Sequence, residues 1–379
     1  MKIIVLGAGL VGGAMVKDLA SDRDFEVTAV DRDQANLDKL KVESRVKRIK
    51  ADLTDRTTLI KLVSDSDLVI GSLPGFMGFS ALKTIIDCGK DIVDISFFPE
   101  DALELDQLAK QKNVTAVVDC GVAPGCSNLI LGYMSSVLDE TENFACYVGG
   151  LPFVRTWPYE YKAPFSPSDV LEEYTRLSRL VENGKVVTKP ALSELELLDF
   201  PEVGTLEAFN TDGLRSLLYT IKAPNLKEKT MRYPGHSEKM RMLRETGFFG
   251  QDEISLKGVM VRPLDLTSSL LFSKWKLNEG EEDFTVMRIM VEGRKNGKCK
   301  RYQFDLFDRY DQKTKTASMA RTTGYTCTTV ARLLARKKFS HIGICPPEFL
   351  GMKHEIYHLI MEGLKEKNIF FKEKVEDLG

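Results

Sequence analysis

No apolar run in this 379-residue chain approaches the length of a membrane span, so no transmembrane helix is expected. Neither sign of charge is in excess. The 53 Lys and Arg against 55 Asp and Glu leave a formal charge of −2, which excludes a global electrostatic pull toward nucleic acid or anionic lipid. The seven cysteines are odd in number and contain no Cys-x-x-Cys pair. That argues against a disulfide frame or a zinc knuckle and fits free thiols in a reducing cytoplasm. Repeats and low-complexity segments are missing too. The stretch from Lys2 to Val16 imitates a secretory leader, but glycines interrupt it, and Lys17 and Asp18 follow without a cleavage site.

What the chain does have is enough length and apolar content (43%) for two domains with sizeable cores. Residues 3 to 6, Ile-Ile-Val-Leu, run straight into Gly7, Gly9 and Gly12, with Asp31 about twenty residues on. The spacing predicts a strand, a tight turn, a helix over Leu10–Ala20, a second strand over Glu26–Val30, and a carboxylate at its end. Each part has a task in holding a dinucleotide. Gly7 permits the turn, Gly9 lets backbone amides approach a pyrophosphate, and Gly12 lets the helix lie close to the strand. The amides around Leu10 and Val11, with the helix dipole, suit the phosphates. Asp31 is placed to accept from the ribose hydroxyls. Arg32 directly follows it and can accommodate a 2′-phosphate, so the choice between NAD and NADP stays open.

Further strands are expected at Val46–Ile49, Leu68–Ile70, Ile92–Ile95 and Val114–Val118, with helices between them at Gln34–Leu40, Thr57–Val63 and Ala102–Lys112. This alternation predicts an α/β, Rossmann-type, doubly wound parallel sheet. Ligands of such sheets sit beyond the carboxyl ends of the strands. The residues there are Asp31, Asp52, Leu73-Pro74-Gly75, Asp94 with Ser96, and Asp119-Cys120-Gly121. Asp52, Leu73, Pro74 and Gly121 therefore join the expected cofactor contacts.

Near Ala123-Pro124-Gly125 the pattern changes. A helix is expected over Ser127–Leu138, then a strand at Phe144–Val148. Phe284–Val291, Lys300–Phe307 and Thr316–Arg321 read as an antiparallel meander with a turn at Asn296-Gly297. The basic cluster at that turn lacks aromatic interleaving and a basic background, so a solvated hairpin tip is expected rather than a nucleic-acid site. Helices are expected again from Thr323 to Leu334 and from His354 to Lys365. The predicted division is residues 1–124 plus 322–379 for the dinucleotide-binding domain, with 125–321 an inserted α+β substrate and dimerisation domain.

For catalysis, the Pro234-Gly235 turn is expected to present His236 outward, where an imidazole can exchange a proton near neutral pH; a structural loop histidine is the alternative. Asp94 and Cys120 stand at the sheet edge, against the plainer readings of a loop cap and a buried thiol. Asp212, Arg215 and Arg321 are candidates to pair with charged substrate groups, and Tyr161 for a pocket wall, with surface salt bridges and core packing as the plainer readings. His354-Glu355-x-x-His358 matches the helical zinc-protease pattern. A third ligand would have to come from Glu362, Glu373, Glu376 or elsewhere in the fold, and the pattern leaves the glycine turn unexplained, so no metal is expected there.

Taken together, Gly7-Ala8-Gly9, Val69–Phe76, Val93–Phe97, Gly121–Asn128, Tyr147–Pro152, Asp212–Ser216, Tyr233–His236, Met319–Arg321 and Pro346–Glu348 resemble the saccharopine dehydrogenase-like family of amino-acid oxidoreductases. Within that family they resemble the lysine 6-dehydrogenase branch most. The resemblance implies a Rossmann domain with an inserted domain, a homodimer, and NAD-linked oxidation of a lysine ε-amine to the semialdehyde, which cyclises to piperideine-6-carboxylate. Saccharopine- or carboxynorspermidine-type chemistry and a non-catalytic nucleotide-binding regulator are the alternatives. The expected partner is a small amino acid. Ser96-Phe97-Phe98 departs from the Gly-Gly-His stretch of some lysine dehydrogenases.

Overall fold

The structure is a computed structural model that describes residues 1–40 and 44–378. The chain divides into two compact units. The first comprises Met1–Glu140, Arg215–Ile221 and Met319–Phe370; the second comprises Thr141–Leu214, Lys222–Ser318 and Phe371–Gly379.

Seven strands form the sheet of the first unit, all in parallel register. Their order across the sheet is Gly343–Cys345, Thr115–Val117, Asp91–Asp94, Leu68–Gly71, Lys2–Leu6, Glu26–Asp31 and Lys47–Lys50. Chain order reverses beside Lys2–Leu6, the topological switch point at which such sheets bind ligands. Strands buried on both faces read as continuous apolar runs. Leu68–Ile70 and Ile3–Leu6 are such runs and are buried throughout. Helices Leu10–Ala20, Arg56–Ser64 and Gly75–Asp87 connect the strands. Asp55 caps the second of these by accepting from the amides of Thr57 and Thr58. The expected helix over Ala102–Lys112 is present in two pieces, a 3-10 turn at Ala102–Leu105 and a helix at Asp106–Gln111.

The second unit is built on a mixed sheet with the path Glu196–Phe200, Gly204–Asn210, Asn225–Arg232, Glu140–Pro152, Asp283–Lys295, Lys298–Arg309 and Phe371–Asp377. Along this path Asn225–Arg232 pairs parallel with Glu140–Pro152, whereas Gly204–Asn210 pairs antiparallel with both Glu196–Phe200 and Asn225–Arg232, and Lys298–Arg309 pairs antiparallel with both Asp283–Lys295 and Phe371–Asp377. The Asn296-Gly297 turn occurs as expected, with both residues at positive φ and Lys295 paired to Lys298.

Three expectations are corrected. Thr316–Arg321 is not a strand, because a helix begins at Ser318 and runs to Ala335, its first amide held by the Asp283 carboxylate at 2.6 Å. The third place in the meander belongs to Phe371–Asp377, in register with Lys298–Arg309 from Leu306 opposite Phe371 to Lys300 opposite Asp377. The division of the chain shifts accordingly. Residues 371–379 lie in the second unit, while helix Cys126–Val137 lies in the first. Close backbone approach explains the latter. A Cβ on Gly132 would stand 2.2 Å from the Glu348 carbonyl oxygen, and one on Gly351 2.0 Å from that of Leu129.

Candidate functional site

The glycine turn separates into two glycines the fold requires and one it does not. Gly7 has φ +94°, and a Cβ there would meet the Ser72 carbonyl oxygen at 2.3 Å. A Cβ on Gly12 would meet the Gly7 carbonyl oxygen at 2.0 Å. Gly9 is exposed, and a Cβ there would meet nothing within 4 Å. It is also the N-cap of helix Leu10–Ala20, which has no side-chain cap and no acidic residue in its first turn. An uncapped positive helix end facing open space is what a pyrophosphate needs. The residues present therefore fit a dinucleotide.

Asp31 is buried and already engaged. Its carboxylate accepts from the Ala8 amide at 2.7 Å, the Asp33 amide at 2.8 Å and the Asn36 side-chain amide at 3.2 Å. It thus ties the glycine turn to the end of its strand. About four acceptor positions exist on a carboxylate, which leaves room for a ribose hydroxyl. Arg32 is exposed beside it. Asp52 is exposed as well and accepts from the amide and hydroxyl of Thr54. Those bonds, with a smaller contribution from the charge of Arg32, hold its carboxyl below the usual range.

Asp94 ends strand Asp91–Asp94, which is separated from Lys2–Leu6 by strand Leu68–Gly71. One carboxylate oxygen, Oδ1, accepts from Ser96 Oγ at 2.8 Å, and Ser96 Oγ accepts from the Leu73 amide at 3.2 Å. The relay fixes the Leu73-Pro74 loop, which faces the glycine turn across Ser72. A Cβ on Gly71 would collide with Asp94 Oδ1 at 1.9 Å, so the strand beside it admits only glycine. The other oxygen, Oδ2, is buried without a partner. Burial raises the carboxyl to about 7; Ser96 opposes this, Asp119 adds to it and Arg215 opposes it. Asp94 is therefore poised between its protonated and charged forms near neutrality.

Beside it, Asp119 and Arg215 form an ion pair buried on both sides. Arg215 Nε lies 3.2 Å from each carboxylate oxygen, and Nη1 donates to the Phe98 carbonyl at 2.6 Å. The guanidinium stacks over the rings of Phe97 and Phe98 at 5.1 and 5.3 Å. Arg215 thus serves as an internal brace.

Other expected site residues are also held inside. Cys120 is buried, and burial pushes its thiol well above the ordinary range, the reverse of what a nucleophilic or redox thiolate needs. Gly121 shapes the loop before helix Cys126–Val137: its amide donates to Pro124 and its carbonyl accepts from Cys126. Arg321 is buried and donates to the Lys367 carbonyl at 2.9 Å, at the end of helix His354–Glu366. His354 and His358 are exposed, and both rings pack edge-on against Tyr133. His354 also shares a hydrogen bond with Ser136 at 2.9 Å. Among the described residues no His, Cys, Asp and Glu group is arranged to hold a metal ion.

In the second unit, His236 is not presented outward. Gly235, at φ +87°, turns the chain so that helix His236–Thr246 begins on an inward-facing residue, 1% exposed. Both ring nitrogens are used, Nε2 with the Tyr174 hydroxyl at 2.9 Å and Nδ1 with the Tyr159 carbonyl at 2.9 Å. Burial, then the charge of Arg232, lowers the imidazole to about 3. It is a neutral core histidine, which removes the reason for reading it as a base. Tyr161 belongs to the same core, under the Arg232 guanidinium at 4.4 Å. Asp212 braces Arg179 through two side-chain bonds of 2.9 and 2.8 Å.

Sequence reading missed the Asp94–Ser96–Leu73 relay and the buried Glu228, whose carboxyl burial raises to about 8. A strand-end Asp two residues before a Ser was the available signal for the first. Glu228 sits among charged neighbours in Asn225–Arg232 and has no such mark.

Comparison with known proteins places this geometry. Residues 3–117 match the model of the saccharopine dehydrogenase NADP-binding domain, and residues 121–369 that of the saccharopine dehydrogenase C-terminal domain. The chain belongs to the saccharopine dehydrogenase family. Its dinucleotide domain is accordingly one for NAD(P), consistent with the cradle at Gly9. A family member, the NADP+, L-glutamate-forming saccharopine dehydrogenase of Saccharomyces cerevisiae, is 26% identical over 269 residues. That match takes in 66% of this chain but only 59% of the yeast protein. Carboxynorspermidine synthase of Vibrio cholerae is 22% identical over 93% of this chain and 92% of its own length. The fold of the apo L-Glu-forming saccharopine dehydrogenase from Saccharomyces cerevisiae superposes with a TM-score of 0.80 at 20% identity, covering 99% of each chain.

Proposed function

We propose that this member of the saccharopine dehydrogenase family is an NAD(P)-dependent oxidoreductase that makes or breaks a carbon–nitrogen bond at a secondary amine of an amino-acid substrate. In the oxidative direction the substrate carbon loses a hydride and its nitrogen a proton. The resulting C=N bond adds water and parts into a carbonyl compound and a primary amine. Bound NAD(P) supplies the acceptor or donor of the hydride.

The observation that carries this reading is the Asp94 edge. A carboxyl titrating at about 7, with one oxygen unpartnered, stands on the carboxyl side of a sheet whose glycine turn fits a dinucleotide. Amine oxidation needs a group that exchanges a proton near neutrality, and such groups have carboxyl values tuned upward by burial. Gly7, Gly9 and Gly12 with the start of helix Leu10–Ala20 hold the pyrophosphate. Arg32 is the candidate for a 2′-phosphate. Asp94, through Ser96, positions the Leu73-Pro74 loop and holds or releases a proton. The two relatives named above support the substrate class, as both carry names of amine-coupling chemistry. Oxidation of the lysine ε-amine is the narrower alternative within the same class of donors.

The test is turnover followed by nicotinamide absorbance, with NAD and NADP each offered against saccharopine, carboxynorspermidine and lysine. Turnover of a secondary amine supports the proposal. Turnover of lysine alone replaces it with primary-amine oxidation. Cofactor binding without turnover of any amine, in either direction, overturns it in favour of a nucleotide-binding regulator.

A further inference from the structure

The segment Arg215–Ile221 has an anchor at each end. At its start Arg215 pairs with Asp119. Near its close, on the short helix Leu217–Thr220, the Thr220 hydroxyl lies 2.6 Å from Oε1 of Glu348. Glu348 stands in the first turn of helix Pro347–Gly351 and is 0% exposed. Its other oxygen, Oε2, accepts from the Asn128 side-chain amide at 3.4 Å. Asn128 is buried in turn, and its Oδ1 accepts from the Gly125 amide at 3.3 Å and the Ser127 hydroxyl at 3.0 Å. Gly125 packs so closely on Gly121 that a Cβ there would meet the Gly121 carbonyl oxygen at 1.7 Å. One step back along the chain, the Cys120 amide donates to the Asp94 carbonyl at 3.0 Å. Glu348 therefore reaches the Asp94 edge by two routes, through Arg215 and through the loop 121–125.

The hydrogen-bond count gives Glu348 a proton. Thr220 Oγ1 lies 2.9 Å from the Ser216 carbonyl as well as 2.6 Å from Glu348. A hydroxyl has one hydrogen to donate, and neither a carbonyl nor a carboxylate can supply a second. With a proton on Glu348 Oε1, that acid donates to Thr220 Oγ1, Thr220 donates to Ser216, and Oε2 keeps its bond from Asn128. Burial also raises the Glu348 carboxyl above its ordinary value, against the opposing pull of these hydrogen bonds.

We propose that Glu348 is a positioning residue for the reaction: a neutral buried acid that clamps Thr220 and Asn128, and through them holds Arg215 and the loop 121–125 against the Asp94 edge. Its bearing on turnover rests on the role given to Asp94 above; its bearing on Asp94 does not. The charged and titratable groups facing Asp94 are Asp119, Arg215, Cys120 and Cys327, and Cys345 faces Glu348. Arg215 is the cation among them. Against the upward push of burial, it holds the Asp94 carboxyl down. Loosening the far end of its segment lets the Asp94 titration move up.

That titration can be read without turnover, from the side-chain carboxyl NMR resonance of isotope-labelled aspartate, assigned by its loss in Asp94→Asn. Glu348→Ala is expected to raise the midpoint by about 0.5 pH unit or more and to lower turnover about tenfold, with NADPH affinity unchanged. Glu348→Gln is expected to match wild type in both, because its amide nitrogen donates to Thr220 while its oxygen accepts from Asn128. Thr220→Val removes one clamp and is expected to shift the midpoint the same way, by less; it carries the test where Glu348→Ala does not fold. Val63→Ala, a core truncation in helix Arg56–Ser64, is expected to lower the melting temperature and leave the midpoint in place. An unmoved midpoint in Glu348→Ala, or in Thr220→Val where only that variant folds, overturns the proposal. So does an equal shift in Val63→Ala, or a shift in Glu348→Gln. A shifted midpoint in a protein that turns over no amine keeps Glu348 as the anchor of Asp94 and removes the reading of the reaction instead.

Discussion

Arg215 and Asp119 meet as a buried ion pair although each sits in the left-handed region of backbone space, at φ +54° and +51°. Neither conformation comes cheaply to a residue with a Cβ. The pair, the Phe98 carbonyl and two aromatic rings together hold both residues in place. The segment Arg215–Ile221 is thereby fixed into the first unit, although the residues on both sides of it belong to the second.

Removing one partner should cost far more than the pair is worth. A buried charge left alone costs roughly 3–5 kcal/mol. Arg215→Met is expected to lower unfolding free energy by about that amount in urea titrations. Arg215→Lys should fall short of rescue, since an ammonium has neither the planar fork nor the stacking surface. The double variant Arg215→Met with Asp119→Leu should cost clearly less than the two single losses combined. Full additivity would show that the pair is not coupled.

The three glycines of the turn should separate stability from binding. Gly9→Ala adds a methyl into open space at a negative φ of −65°, so the unliganded protein should keep its melting temperature. Its affinity for NADPH, read by fluorescence titration, should drop at least tenfold as the methyl enters the phosphate cradle. Gly7→Ala and Gly12→Ala clash with backbone inside the fold and should destabilise the protein before any cofactor is added, by ~2 kcal/mol or more. A Gly9→Ala protein that binds NADPH normally would remove the pyrophosphate from this turn.

How much of this was legible beforehand depended on how local the signal was. Most of the parallel sheet was readable because its central strands are short apolar runs, and helix Leu10–Ala20 has the bounds its periodicity predicts; the edge strand Gly343–Cys345, only three residues long, was not read. The family resemblance ran the length of the chain and was matched in both domains. The site was read less well. His236, Tyr161 and Asp212 look reactive by residue type, yet their roles come from partners far away in sequence: Tyr159 for His236, Arg179 for Asp212 and Trp275 for Tyr161. No local pattern carries that information. The helix starting at Ser318 was read as a strand because its cap, Asp283, lies 35 residues upstream.

Asp94 should make the fold weaker as pH rises. Its folded value of about 7 lies above the ordinary ~3.9 of an unfolded Asp. Between those values the unfolded chain gives up its proton while the folded chain keeps one, so stability falls with pH across that window and levels above it. Asp94→Asn removes the slope. Relative to wild type, the variant should gain ~2 kcal/mol or more between pH 5 and pH 8 in urea titrations. Its turnover, where the proposed chemistry holds, should fall roughly 100-fold or more. Retained turnover would confine Asp94 to fixing the Leu73 loop. An unchanged difference between variant and wild type at the two pH values would mean that the carboxyl is charged throughout.

His236 has the opposite sign. Its imidazole titrates at about 3 when folded and near 6.5 when unfolded. Below pH 6.5 the unfolded chain takes up a proton that the folded chain refuses, so this residue's stabilising contribution is complete above 6.5 and is lost as pH falls toward 3. Histidine NMR should therefore show one imidazole that does not titrate between pH 5 and 8. His236→Gln keeps a donor and an acceptor for Tyr159 and Tyr174 but cannot ionise, so it should destabilise the protein at pH 7 by ~1–3 kcal/mol, from imperfect hydrogen bonding. The deficit should shrink or reverse by pH 4.5, because wild type alone carries the acid penalty. The pH dependence of turnover in the variant should follow that of wild type. A shifted acid limb of that profile, with stability at neutral pH intact, would instead return His236 to the reaction.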